Sequence, residues 1–333
     1  MTDETWRDKL HEWANQFTAQ LAQRPGVLGV MIGGSLARGQ EWRHSDLETG
    51  ILVESKDESL PYFNVHEGRG VEIIQLIRPD LVTQLDQIAA GDLSPVADWR
   101  IQLWEGRLVH DPTGLLAQFK TQFDRHLFSD VVLGQRQAEL GKLIDARLAA
   151  ARQLLGEDRP VAALVELRQA MNHLILVAHW ARRELPRSQN RTDSRLRSLC
   201  QRHDIMPFYD LYRDVFGLAD TQAVIADVWP AVRDQVLEIT RLWGDSARDF
   251  FDHAVDSQFL WGEDAGILTV YRLYVPIIGG EDRAIQSKLD DSEWQTTNHN
   301  LLQFLGLAEI RARRVSEQMA ELERWREQLA DGT

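Results

Sequence analysis

A single cysteine, Cys200, stands in 333 residues. One thiol cannot form an intrachain disulfide, and zinc sites built from several thiolates are excluded, so a structural place for Cys200 is expected. Long apolar runs are missing as well. No stretch approaches the roughly 20 consecutive apolar residues that span a bilayer, and Met1 to Lys9 is polar and acidic, unlike a signal peptide. The expectations are no membrane partner and a cytoplasmic location. Basic side chains are in short supply: 37 Lys and Arg face 51 Asp and Glu, for a net charge of -14. Contact with a phosphate backbone depends on clustered Lys and Arg, so an extended nucleic-acid partner is not expected, whereas a cationic small molecule would be attracted. Internal repeats and low-complexity tracts are absent too, which leaves out solenoids and biased tails. What is present is an ordinary globular composition, 44% hydrophobic and 26% charged. Its length suits two domains and an extension.

Trp6, Leu10, Trp13, Phe17 and Leu21 recur at steps of three and four, which predicts an amphipathic first helix ended by Pro25-Gly26. Val27 to Ile32 reads as a buried strand, followed by the turn Gly33-Gly34-Ser35 and a short helical stretch from Leu36. A second strand is expected over Asp46 to Val53 and a third over Val71 to Ile77. Pro79 then suits the first turn of a helix carrying Leu81, Leu85 and Ile88. Gly68-Arg69-Gly70 is too short for a dinucleotide fingerprint and reads as a hairpin turn. Arg107 to His110 adds a last strand before the turn Asp111-Pro112-Thr113-Gly114.

After that turn the period becomes helical. Helices are predicted over 115–156, 160–184, 207–217 and 220–243, the second of them apolar on most sides and so central to a bundle. Residues 267–278 fit a strand or a buried helix equally, and 301–329 reads as an amphipathic closing helix packed on its own bundle. The expected architecture is an α/β N-terminal domain, a mixed sheet with flanking helices, over 1–114. An all-α helical bundle follows over 115–245, then a mostly helical extension over 246–333.

The chemistry gathers in Gly33-Gly34-Ser35-Leu36-Ala37-Arg38, then Ser45-Asp46-Leu47-Glu48, then Glu72. Asp46 and Glu48 lie two apart on a strand and share a face, and a neighbouring strand can bring Glu72 beside them. A carboxylate flanked by Val71, Ile73 and Ile74 is costly unless paired or bound to metal. Hard cations take carboxylate oxygens. Gly33 and Gly34 let the backbone pass close to phosphate, Ser35 offers a hydroxyl and an N–H at a helix start, and Arg38 adds charge one turn later. A three-carboxylate metal site opposite a triphosphate cradle is the equipment of nucleotidyl transfer, which uses two magnesium ions to stabilise attack and departure in line. A Gly-Gly-Ser turn or an acidic pair alone is ordinary; their order along the chain is not.

These residues resemble the motif of the DNA polymerase beta superfamily of nucleotidyltransferases. Within it, the Gly-Ser-Leu-x-Arg run (Gly34 to Arg38), Ser45 to Glu48, Val71-Glu72 and the Asp111 turn are similar in order to the kanamycin nucleotidyltransferase family. The resemblance covers about Val27 to Arg147 and is looser to Trp243. It implies Asp46, Glu48 and Glu72 as ligands of two Mg2+ ions, and Gly34, Ser35, Arg38 and Ser45 as contacts to ATP or another nucleoside triphosphate. The acceptor would be a small molecule with a hydroxyl group, aminoglycoside-type antibiotics being the best-known class. The family's general base comes from the first long helix of the helical domain, where counting from Asp111 reaches Asp145, with Glu139 as the substitute and Glu166 as a further candidate. A homodimer sharing its sites is left open. Two other readings stand beside this one: an antitoxin-type enzyme that modifies a partner protein, for which the helical half is too long, and a catalytically silent relative, against which the three retained carboxylates argue. His173 and His179 are six apart, share no helix face and are expected in the core or at the surface.

Overall fold

The computed structural model describes residues 3–41, 43, 45–98, 105–186, 191–244, 248, 264–278 and 285–330. They fall into two compact units, one running to Gln135 and the other starting at Arg136.

The first unit opens with helix α1 (Asp3–Ala22), whose Leu10, Trp13, Phe17 and Leu21 are all buried. Five strands follow: β1 (Val27–Ile32), β2 (Leu47–Val53), β3 (Phe63–His66), β4 (Arg69–Ile77) and β5 (Arg107–His110). They form one mixed sheet in the order β3-β4-β2-β1-β5, with β2 and β4 parallel and the other neighbours antiparallel. Side chains alternate across a strand. Val30, Ile32, Leu47, Ile51, Val53, Val71 and Ile73 share one core cluster with the buried stripe of α1. The intervening Glu48 and Glu72 are thereby turned to the other face.

Strand β3 has no counterpart among the expected elements, because its four half-buried residues carry little hydrophobic signal. The hairpin turn also falls earlier than the sequence suggests. Glu67 and Gly68, at φ 51° and 74°, form a two-residue turn closed by the pair His66 and Arg69. Positive φ at both central positions matches the twist of a tight hairpin. Arg69 and Gly70 already belong to β4.

Helix α2 (Gly34–Ala37) is a single turn after β1, and α3 (Arg78–Ala89) follows β4 with Pro79 at its start. Helices α4 (Ser94–Asp98) and α5 (Leu115–His126) complete the unit. The continuous helix expected over 115–156 is broken at residues 127–129. Its first part, α5, packs on α3 and β1 through buried Leu116, Phe119 and Phe123, so it belongs with the sheet although the sequence places the boundary before it. Its second part is α6 (Asp130–Gly156).

The second unit is helical. At its centre α7 (Pro160–Ala181) is buried along nearly its whole length. By length and composition α7 could cross a membrane, contrary to the expectation that no stretch comes near this; 83% of its most apolar window is buried in the protein. Helix α8 (Thr192–Arg202) is not among the expected helices, its mean hydropathy being low around a buried stripe of Leu196, Leu199 and Cys200. Helix α9 (Met206–Phe216) precedes α10 (Thr221–Ala223), which runs through a π-helical turn, Val224–Val228, into α11 (Trp229–Thr240). The ambiguous run after residue 264 is helix α12 (Asp264–Tyr274), ended at Pro276. Helices α13 (Ser292–Thr297), α14 (His299–Phe304) and α15 (Ala312–Ala330) close the chain. The closing helix is interrupted between α14 and α15, and α15 packs on α7 and α9 as an internal partner would. The described residues after 263 belong to the same compact unit as the bundle, not to an appendage.

Candidate metal and nucleotide site

The parallel pairing of β2 with β4 sets Glu48 directly opposite Glu72. In a parallel pair such partners project from the same face. Asp46 lies two residues before Glu48 at the entrance to β2, half-buried. Its charge acts on Glu48, as does that of Glu72. Half-buried as a residue, Glu48 has its carboxyl enclosed by the turn and the two strands. Burial, then the Asp46 and Glu72 charges, hold its pKa well above the usual carboxylate range. Arg38 and the Ser35 backbone N–H pull the other way and are outweighed.

The turn after β1 is fitted to this carboxylate. The Gly33 N–H donates to the Glu48 carbonyl at 2.7 Å. Gly34 sits at φ +62°, and a Cβ there would lie 1.2 Å from Glu48 Oε2. Only glycine allows that backbone conformation and that approach together. The Ser35 N–H, expected at a phosphate, donates to the Glu48 carboxylate, and the Ser35 hydroxyl donates to Ser45 Oγ at 3.2 Å. Arg38 follows at the end of α2, its side chain largely buried, with its Nε 3.8 Å from Glu105 Oε2. All seven residues named for metal and triphosphate therefore lie in the first unit, around one strand pair and one turn.

Two supporting side chains carry no signal in the sequence. Tyr62 donates its hydroxyl to Glu72 Oε2 at 2.9 Å and so fixes one of the three carboxylates. Glu41, buried in the segment between α2 and β2, is held by Arg7 at 3.0 Å and His11 at 3.1 Å, both on α1. An isolated tyrosine before a short strand and a glutamate thirty residues from its partners have no periodicity by which to be found.

Among the described residues, no group of three His, Cys, Asp or Glu side chains closes into a ready ligand cage. The strand register and the backbone bring the three carboxylates together against their mutual repulsion, without a closed ligand geometry. The donor set still fits a hard divalent cation, since it consists of carboxylate oxygens alone. The glycine cradle around Glu48 holds one of them in place.

No family model and no curated protein matches the sequence. Among solved structures, the chain is similar to a nucleotidyltransferase-like protein from Exiguobacterium sibiricum 255-15. The likeness covers 87% of this chain and 91% of that one, at 14% identity and a TM-score of 0.34. A likeness this slight carries no argument about chemistry, and it does not extend to the kanamycin-type family.

The two residues named as general base stand on α6 in the second unit. Glu139 is exposed. Asp145 accepts a hydrogen bond from Arg326 of α15 at 2.7 Å, an exposed ion pair between two helices of that unit. Glu166 on α7 is buried and occupied, by Arg147 at 3.0 Å and by Gln286 at 2.7 Å, which gives it a structural place. Burial, aided by Arg147, lowers the His173 pKa to about 4, and burial lowers that of His179 to the same value. Both are neutral side chains of the bundle interior. Cys200 is fully buried with its thiol pushed up to about 12 by burial, far from a nucleophile's range.

Proposed function

We propose that the chain is a magnesium-dependent nucleotidyltransferase that moves a nucleoside monophosphate, AMP from ATP in the expected case, onto a hydroxyl of a small polar or cationic molecule. The observation that carries this reading is the register of Glu48 with Glu72 on parallel strands, with the Asp46 charge acting on Glu48 and a glycine turn against it. Three carboxylates crowded so that one is driven toward protonation are a costly arrangement with no structural return, and a divalent cation would relieve it.

Asp46, Glu48 and Glu72 would hold the metal, whose charge offsets that of the triphosphate and lowers the pKa of the acceptor hydroxyl. The chain's own residues supply the rest. Gly33 and Gly34 keep side chains away from the place where phosphate oxygens approach, Ser35 and Ser45 present hydroxyls, and Arg38 brings a guanidinium to the same edge. Tyr62 keeps Glu72 in its rotamer. An aminoglycoside-type antibiotic fits as acceptor through its many hydroxyls and its positive charge beside an acidic protein.

The test is mass spectrometry of aminoglycosides, lincosamides and cell extract incubated with the protein, magnesium and isotopically labelled ATP. An acceptor heavier by one adenylate, lost with EDTA and with Asp46→Asn, supports the reading. Transfer that survives both treatments, or ATP left intact with every acceptor, overturns it.

A further inference from the structure

Strand β3, at the edge of the sheet, carries its polarity against the usual pattern. Its pairing with β4 sets Phe63 opposite Glu72, Asn64 opposite Val71, Val65 opposite Gly70 and His66 opposite Arg69. Opposed residues of an antiparallel pair project from the same face. Asn64 and His66 therefore lie on the face packed by α1, where the His66 ring stands 4.8 Å from that of Phe17 and 6.4 Å from that of Trp13. Phe63 and Val65 lie on the face of Glu48 and Glu72, each of them half-buried. Gly70 adds no side chain beside Val65. Tyr62 props the Phe63 ring, their planes at 88° and their centroids 4.6 Å apart, while its hydroxyl is given to Glu72. A half-covered sheet ordinarily turns apolar side chains to its core and polar ones outward. Here the apolar pair of β3 is turned to the carboxylates instead.

Strand order gives that face a direction. From β1 to β3 it runs from the glycine turn, past Glu48 and Glu72, to Phe63. Adjacent strands are about 4.8 Å apart, so Phe63 stands one strand beyond the two carboxylates and the turn one strand before them. Nucleotidyl transfer runs in line. The acceptor oxygen bonds to the α-phosphorus as the bond to pyrophosphate breaks on the opposite side, and the hydroxyl proton passes to the general base. With the triphosphate at the glycine turn, pyrophosphate departs toward β1 and the acceptor enters from β3. What it meets there is an aromatic ring and a valine beside acidic side chains. An aromatic face packs on C–H groups and attracts a cation, and carboxylates complement an ammonium.

We propose, in an assignment that rests on the transfer reading, that Phe63 is a specificity-determining residue for the acceptor. The acceptor lays the C–H face of a saturated, ammonium-bearing ring on Phe63 and Val65, and its hydroxyl points past Glu72 toward the nucleotide. This wall selects aminosugars over neutral sugars.

The experiment is isothermal titration of kanamycin into the full chain loaded with magnesium and a nonhydrolysable ATP analogue, with the affinity of the analogue measured beside it. Phe63→Ala is expected to weaken kanamycin roughly tenfold and to leave the analogue unchanged. Phe63→Trp, which keeps an aromatic face, should bind kanamycin as the parent does. Phe63→Leu keeps apolar bulk without that face, so it should weaken kanamycin even if Phe63→Ala fails to fold. The neutral disaccharide trehalose should bind the parent roughly tenfold or more weakly than kanamycin. Unchanged kanamycin affinity in Phe63→Leu, trehalose bound as tightly as kanamycin, or no saturable kanamycin binding to a chain that takes up the analogue overturns the assignment of Phe63 and leaves the transfer reading standing. An analogue that does not bind the parent with magnesium overturns both.

Discussion

Gly34 is where the smallest chemical change should have the largest effect. A methyl group added there meets Glu48 Oε2 at 1.2 Å on a backbone at φ +62°. Gly34→Ala is expected to cost about 1 to 3 kcal/mol or more in urea unfolding and to abolish transfer, because Glu48 must leave its place. Glu48 itself should show in the pH dependence. Its folded pKa is raised above the ordinary glutamate value of 4.5, so the folded state binds the proton more tightly than the unfolded one. The contribution to stability is then largest at low pH and is lost as pH rises from 4.5 toward the raised value. Without metal, Glu48→Gln should flatten that part of the curve relative to the unmodified protein and be the more stable of the two at neutral pH. A wild-type curve superimposed on that of Glu48→Gln would place Glu48 in ordinary solvent. For the base, Asp145→Asn and Glu139→Gln form a pair, and the one that serves should lower kcat by about 10²- to 10⁴-fold with nucleotide affinity unchanged. The Arg326 partner makes Asp145 the more constrained of the two.

Whole elements explain both what the sequence makes legible and what it hides. Helix α1, strands β1, β2 and β4 and helix α3 are readable because each carries buried apolar residues in a run or at helical spacing, whereas β5, with no buried residue, is marked only by its place before the Asp111 turn. Alternation alone turns Glu48 and Glu72 away from α1, but it cannot supply their register, which depends on pairing between strands more than twenty residues apart. Strand β3 is hidden because it is short, and α8 because its buried stripe is diluted by charged neighbours such as Arg195 and Arg197. The break between α5 and α6 has no glycine or proline to announce it, and that between α14 and α15 rests on the single Gly306 at φ +62°, inside a run whose apolar spacing continues. The ends of α9 and α14 make the same point, since their last carbonyls are met by buried guanidiniums that no local pattern announces. Arg168 serves Val215, Leu305 and Gly306, and Arg272 serves Phe304, Phe216 and Gly217. These bonds satisfy helix-terminal acceptors that would otherwise be buried unpaired. Arg168→Met is therefore expected to lower stability by about 3 kcal/mol or more, read as the urea midpoint, even though it removes a buried charge. A variant as stable as the parent would mean that those carbonyls find other partners.

Across the molecule, the scarcity of cysteine and of basic residues narrows the field to a folded acidic protein, and the order of a few residues in its first quarter supplies the chemistry. The structure adds to that motif its register, its glycine cradle and the tyrosine on Glu72. The acceptor is not written in these features, because a hydroxyl-bearing ligand is chosen by a surface that no short motif encodes. The central claim is that Asp46, Glu48 and Glu72 form one divalent-metal site that admits a triphosphate. Calorimetric titration with a nonhydrolysable ATP analogue, with and without magnesium, for the parent chain and for Glu72→Gln, tests it most directly. Binding should require magnesium in the parent and vanish in Glu72→Gln, while the metal-free variant unfolds at the same urea concentration as the parent or a higher one. Analogue binding that needs no metal, or that persists undiminished in a folded Glu72→Gln, would contradict the account.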